Sequence, residues 1–338
     1  MELKKKYQEI IPRNISQLLL TDFSHLMGEF YEMQSSFLTT RYKFHNSLET
    51  ASIINSLITC VHLSIVRQRE RYLDHDLSLK NFFLNLENLP DRNTTALKIV
   101  QIVNSTSIPK ETVRRKLKKC GEQGFVSTNK YKEYYWVIND SRKDSFVTIM
   151  KKDIKALTRF TFNVSNLLNL NLNNKLIENE IELNFSFYFY HFLSCQISWL
   201  KMWQNKIKDI DLILITLQAI IPAMQFSDKN QNIKDLGLDN LHTLLGKTNK
   251  AYEISDASIS AASISEITGI PRATCIRKLD TLVNLEMLIR DNKTKRYFLN
   301  QSTSGRTKNI MTKNNVSLTI NIFADFLSII LNALIRKK

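Results

Sequence analysis

Ile108-Pro109-Lys110-Glu111-Thr112-Val113-Arg114-Arg115-Lys116-Leu117 and Ile270-Pro271-Arg272-Ala273-Thr274-Cys275-Ile276-Arg277-Lys278-Leu279 are two copies of one pattern, 271 − 109 = 162 residues apart in a chain of 338. Ile, Pro, Thr, Arg, Lys and Leu agree between them without a gap. Proline suits the first turn of a helix, where its missing N–H has no intrahelical acceptor to lose. Pro109 and Pro271 are therefore expected to start a helix, with Ser107 or the backbone of Gly269 capping the free donors. Inside it Val113, Leu117 and Cys120, and again Cys275, Leu279 and Leu282, recur at i, i+4, i+7 and give one buried stripe. A short apolar-periodic helix precedes each copy, so the pattern reads as a helix-turn-helix present twice.

The opposite face is free for a groove. In the first copy it carries Lys110, Arg114, Arg115 and Lys118 beside the acidic Glu111, a cationic surface on a helix that fits a DNA major groove. The second copy offers Arg272, Ala273, Ile276, Arg277 and Asp280, which is less basic and suits weaker binding or a different half-site. Downstream the period changes from helical to alternating. Phe125-Val126-Ser127 and Tyr134-Tyr135-Trp136-Val137 flank a turn at 128–132, and Leu288-Ile289-Arg290 and Tyr297-Phe298-Leu299 flank one at 291–296. Each reads as a β-hairpin wing. Lys130, Lys132, Lys293, Lys295 and Arg296 at the tips are placed as a group to reach phosphates or a minor groove. Any one of them alone reads as a solvated loop charge. Thr112, Thr274 and Lys278 complete the candidate DNA-binding set.

The stretch Ser263-Ile264-Ser265-Glu266-Ile267-Thr268-Gly269-Ile270-Pro271-Arg272-Ala273-Thr274, with Arg277-Lys278-Leu279, resembles the winged-helix reading heads of bacterial MarR- and IclR-type transcriptional regulators. The resemblance covers about 256–300 and, more loosely, 94–139, where Lys98-Ile99-Val100-Gln101-Ile102-Val103 replaces the usual small-residue helix. It departs at Glu286, where such proteins carry a glycine before the wing; Gly124 keeps it in the first copy. The resemblance implies a recognition helix and wing in each copy. Thinner matches extend beyond the heads. Tyr135 falls on Tyr297. Ile149-Met150 and the stretch to Leu176 resemble Ile310-Met311 and the stretch to Lys338, at 310 − 149 = 161. Phe30-Tyr31, Ser35 and Asn46 align with Phe189-Tyr190, Ser194 and Asn205, at 189 − 30 = 159. Long helices, a winged motif and a closing helix are also the order of a MarR-type protomer, whose terminal helices dimerise. The chain is thus expected to be a fused pseudo-dimer, with heads for two half-sites about 34 Å apart.

The expected fold is mainly α: two winged helix-turn-helix modules with small hairpin wings, embedded by internal duplication in a long-helix, dimerisation-type scaffold. The division is an N-terminal helical region (1–93), a first winged module (94–140), a central helical region (141–255), a second winged module (256–301) and a C-terminal amphipathic helix (302–338). Ile53 to Val66 and Ile210 to Ile221 are expected to form the central core, the second ending at Pro222. Lys229 to Lys250 reads as a linker with one short helix at Leu241 to Leu245. The aromatic cluster from Phe185 to Trp203 reads as core or interface rather than as a pocket for a small-molecule effector, which nothing else indicates.

Seven glycines and 5 prolines favour helices with few loops, and 43% apolar content supplies real cores. A formal charge of +15 favours a polyanionic partner, although abundant Lys, Asn and Ile also follow from AT-rich coding. The clustering at 110–119 is therefore the stronger sign. Four scattered cysteines, Cys60, Cys120, Cys195 and Cys275, suggest neither disulfides nor a metal site and point to a reducing cytoplasm. Leu183 to Trp203 and Val316 to Ile335 reach membrane-spanning length. In the second, Ser317, Asn321, Asp325, Ser328 and Asn332 form a polar stripe; in the first, Asn184, Tyr188, His191, Ser194, Ser198 and Lys201 do. Both read as bundle or interface helices, with no membrane partner. No phosphate loop, H-E-x-x-H, C-x-x-C or G-x-S-x-G motif is present, and Asp74-His75-Asp76 reads as a solvated charge run, so catalysis and cofactors are not expected.

The leading expectation is a sequence-specific transcriptional regulator of double-stranded DNA, itself able to form a homodimer through its long helices. A plasmid- or phage-type replication initiator with tandem winged helices is the alternative, and a structural module binding protein is a third.

Overall fold

The computed structural model describes residues 9–89, 92–229, 258–300 and 313–337. The expected linker helix at Leu241 to Leu245 lies outside them. The fold is mainly helical with two small antiparallel hairpins. Its order is α1 (Pro12–Thr21), α2 (Phe23–His45), α3 (Leu48–Arg71), α4 (Phe82–Glu87), α5 (Ile99–Thr106), α6 (Lys110–Glu122), β1 (Val126–Thr128), β2 (Tyr134–Trp136), α7 (Asp140–Leu167), α8 (Asn174–Leu183), α9 (Phe185–Ile207), α10 (Ile210–Lys229), α11 (Ala261–Thr268), α12 (Arg272–Asn284), β3 (Leu288–Arg290), β4 (Tyr297–Leu299) and α13 (Lys313–Arg336).

The element bounds repeat. Adding 162 to the bounds of α1, α2, α5, α6 and β1 gives those of α8, α9, α11, α12 and β3, and α3 and α10 start at the same offset. The local chemistry that sets these bounds repeats too. Asn46 and Lys208 end α2 and α9 in the left-handed region, φ 53° and 60°. Ser107 and Gly269 end α5 and α11 there, φ 56° and 77°. Ser107 and Gly269 thus close the preceding helix rather than cap the following one, and Pro109 and Pro271 stand at the N-cap, one residue before the helices they were expected to begin.

Packing is reciprocal across the middle of the molecule. α3 lies on α9 while α10 lies on α2; α1 lies on α13 while α8 lies on α7. Phe37 meets Phe192 edge-on at 5.5 Å, and Phe30 meets Trp199 edge-on at 6.5 Å. Because 30 + 162 = 192 and 37 + 162 = 199, these are one contact seen from two sides, the arrangement of an isologous interface. Phe30–Phe160 and Phe192–Phe326, both at 5.8 Å, repeat the pattern with α7 and α13. Phe30 therefore corresponds to Phe192, not to Phe189 as the alignment at 159 had it. In the same way β2 and β4 pair so that Trp136 faces Val126 and Leu299 faces Leu288. Tyr134, bridged to Leu97, then matches Tyr297, bridged to Ile259, at 297 − 134 = 163. One extra residue in the second hairpin displaces the expected Tyr135/Tyr297 match.

Three further expectations change. α10 does not stop at Pro222 but runs through it to Lys229, because Ala223 and Met224 still bury against the core and Gln225 reaches Glu32 at 2.9 Å. The polar stripe of α13 is only partly solvent-facing: Asn332 exchanges hydrogen bonds with the backbone of Ile10 at 2.9 and 2.8 Å, and Asn321 accepts one from Ser16. Asp76 is no mere solvated charge; it accepts from the Ser78 N–H at 2.7 Å, which holds its carboxyl below the usual range although burial opposes this more strongly than any single bond. By length and composition α3 and the segment Asn314–Arg336 of α13 could each cross a membrane, but 72% and 61% of their most apolar windows are buried within the fold.

Candidate nucleic-acid interface

Each helix pair is set by one local device. Thr106 donates to the Ile102 carbonyl at 2.7 Å and accepts from the Ile108 N–H at 3.2 Å; Thr268 does the same with Ile264 and Ile270 at 2.6 and 3.2 Å. That fixes the turn and inserts Ile108 and Ile270, both fully buried. Val113, Leu117 and Cys120 of α6, and Cys275, Leu279 and Leu282 of α12, are buried as their spacing required. Burial pushes the Cys120 thiol up to about 11 and raises that of Cys275, so both remain protonated core groups.

The outward face of α6 exposes Lys110, Arg114, Arg115 and Lys118, and also Lys119, which the candidate set omitted. Thr112 is half-buried at its edge. Arg114 contacts Glu111 at 3.2 Å, an exposed i, i+3 pair that does little to hold it. On α12, Arg272, Ala273, Ile276, Arg277 and Asp280 are exposed and Thr274 is half-buried. Lys278 is not on this face. It is 8% exposed, and its Nζ lies 2.7 Å from Asp209 and 3.3 Å from Asp211 at the α9–α10 corner. Burial raises the Asp211 carboxyl, and Lys278 opposes that. Lys116 occupies the matching place, 2.7 Å from Ser47 and 3.4 Å from Glu49. Both lysines bolt a helix to the scaffold.

The hairpins β1–β2 and β3–β4 flank these faces. Asn129 accepts from the N–H groups of Tyr131 and Glu133 at 2.9 and 3.0 Å, and Asp291 accepts from those of Lys293 and Thr294, both at 3.0 Å. These side chains shape the turns and leave Lys130, Lys132, Lys293 and Lys295 exposed at the tips. Arg296 instead turns inward, donating to the hydroxyl and carbonyl of Ser258 at 2.6 and 2.8 Å. Ahead of each wing, Gly124 and Glu286 share the left-handed region at φ 72° and 57°. The missing glycine has therefore not changed the backbone conformation ahead of the second hairpin. Arg290, exposed at the wing base and 3.9 Å from Asp280, was also outside the candidate set.

Behind each face the module meets the scaffold at a small cavity. One is lined by Arg41, His45, Asn55 and Phe125; at the same offset the other is lined by Trp203, Ile207, Leu217 and Met287. In the first, burial chiefly, then Arg41 and Arg142, push His45 down to about 3. Among the described residues no group of three or more His, Cys, Asp or Glu is placed to hold a metal ion. No family model, curated protein or solved structure matches the chain.

Proposed function

We propose that the chain is a regulator that binds double-stranded DNA through two winged helix-turn-helix heads, carried by a scaffold that is a duplicated, fused pseudo-dimer. The observation that carries this reading is the outward face of α6. Lys110, Arg114, Arg115, Lys118 and Lys119 are exposed together on one short helix, held at its back by Val113, Leu117 and Lys116, and flanked by a wing with two exposed lysines. A helix of this kind fits a major groove, and cations on its rims neutralise phosphates and release counterions. The same order of elements recurs 162 residues on, supporting a second head that docks alike. The reciprocal packing of α2, α3, α9 and α10 would hold both heads in a defined relation, as a dimer interface does for separate protomers.

The test is fluorescence anisotropy with a labelled 30-base-pair duplex across a salt series. Replacing Arg114 and Arg115 by alanine is expected to lower the slope of log K against log salt by about 1.8 if each neutralises one phosphate. An unchanged slope takes α6 out of the interface.

A further inference from the structure

Because the scaffold sets both heads in equivalent positions, differences between them translate into differences between the two halves of what they bind. The wings are alike, with Lys130 and Lys132 matched by Lys293 and Lys295. The helices are not. At the shared offset Arg114 becomes Ile276, Lys118 becomes Asp280, Lys119 becomes Thr281 and Glu111 becomes Ala273. Ile276 is 37% exposed on the outward face, one turn from Arg272 and beside Arg277. A surface built for phosphates has no use for an isoleucine there. An apolar side chain between two arginines suits the one apolar group the major groove displays, the thymine C5-methyl. Asp280 would lie badly against a phosphate.

We infer that the DNA partner lacks two-fold symmetry: the half under α6 is held through its phosphates, and the half under α12 is read through thymine methyls by Ile276 and Ala273. This rests on the DNA-binding reading above and adds to it the chemistry of each half-site. Two identical protomers could not make that distinction, since an isologous pair presents the same helix twice.

The experiment selects sites for the full-length protein from a random 30-base-pair duplex library, then maps them by phosphate ethylation and by replacing thymine with deoxyuracil. The expected result is a site without a palindrome. Ethylation would interfere mainly in one half, and removing a contacted methyl would weaken binding about fourfold in the other, the loss for one buried carbon. Ile276→Arg, a surface change that copies Arg114, is expected to abolish the deoxyuracil effect at the thymine Ile276 contacts, leaving any at Ala273, and to steepen the salt slope by about 0.9. A thermal melt matching the wild type confirms its fold. A palindromic site with equal interference in both halves overturns the inference while leaving the DNA reading standing. A deoxyuracil effect unchanged in Ile276→Arg also overturns it. Failure of the wild-type protein to enrich or bind any duplex at 50 mM salt overturns both.

Discussion

Lys278 separates a structural cation from those on the proposed DNA-binding face. Its side chain is 10% exposed and faces Asp209 at 2.7 Å and Asp211 at 3.3 Å, so Lys278→Met would leave two carboxylates at the α9–α10 corner with no cation between them. Removing one partner of a buried pair costs about 3–5 kcal/mol, but Asp209 is 41% exposed and water can take over part of its charge. The expected loss is therefore about 2–3 kcal/mol. Lys116→Met, where the partners are the Ser47 hydroxyl and a Glu49 carboxylate at 3.4 Å, should lose about 1 kcal/mol. The pH dependence has a definite sign. Burial already raises the Asp211 carboxyl and Lys278 opposes it; without the lysine the folded state takes up that proton more readily than the unfolded chain does. The deficit of the variant should then shrink as pH falls through the carboxylate range. Urea midpoints at pH 7 and pH 5 measure this, and a salt series with random duplex measures the DNA side, where no change in slope is expected. Unaltered stability together with a slope reduced by about 0.9 would place Lys278 on DNA and refute the assignment.

Three other outcomes follow from differences between matching positions. Arg41 and Asp153 form a bidentate pair, 4% and 3% exposed, with one contact at 2.7 Å; in a double-mutant cycle Asp153→Thr alone should cost about 3–5 kcal/mol, and adding Arg41→Met should recover at least 2 kcal/mol of it, whereas additive losses would show no buried pair. Glu286→Gly, relieving a left-handed residue where Gly124 already stands, should stabilise by about 1 kcal/mol in thermal unfolding, and a loss would mean that the side chain is needed there. His62 is fully buried among Phe82, Phe185 and Phe189, burial pushes it down to about 3, and its matching position holds Met224. Since the unfolded chain protonates this histidine from about pH 6.5 downward and the folded one does not, its contribution is complete above that pH and is lost on acidification; His62→Met should flatten the acid side of a stability–pH curve, and an unchanged curve would remove His62 as a cause.

The two repeated helix-pair-and-hairpin units were legible because their determinants are local. A proline, a threonine, an apolar stripe of period 3.6 and an alternating run fix α6, α12 and both hairpins within thirty-odd residues, and the strands Leu288–Arg290 and Tyr297–Leu299 fall where the alternation put them. The scaffold was legible only as helices. In α2 and α9 nearly any large apolar residue satisfies the core, so Phe30 could be slid onto Phe189 at no visible cost; the shared helix bounds and the paired contacts Phe30–Trp199 and Phe37–Phe192 fix it to Phe192. Lys278 was placed with the exposed cations because it lies on the rim of the buried stripe, three residues past Cys275, as Lys116 lies past Val113. What turns them inward is a partner 116 − 47 = 69 or 278 − 209 = 69 residues away, which no local pattern encodes. Arg296 was misplaced for the same reason, its acceptor Ser258 being 38 residues earlier in the chain.

A dimer of identical chains can change its interface only in pairs, since every substitution appears on both sides of the axis. In the fused reading proposed for this chain that restriction is gone, and some matched positions differ where symmetry would have cost something. Arg41 and Asp153 face each other in one half, while Trp203 and Thr319 fill the corresponding region of the other. Doubling a buried ion pair doubles a desolvation penalty; keeping one copy retains its directional constraint on α2 and α7 and leaves the second site free to pack. The same freedom separates Arg114 from Ile276 and Lys118 from Asp280 on the outward faces, where identical helices would demand identical half-sites. Covalent linkage also removes the translational cost of bringing two heads together. In that reading a cation-poor second head would be tolerable, because the first would hold it at high effective concentration beside its half-site and a few contacts of modest strength would suffice to decide where the pair settles.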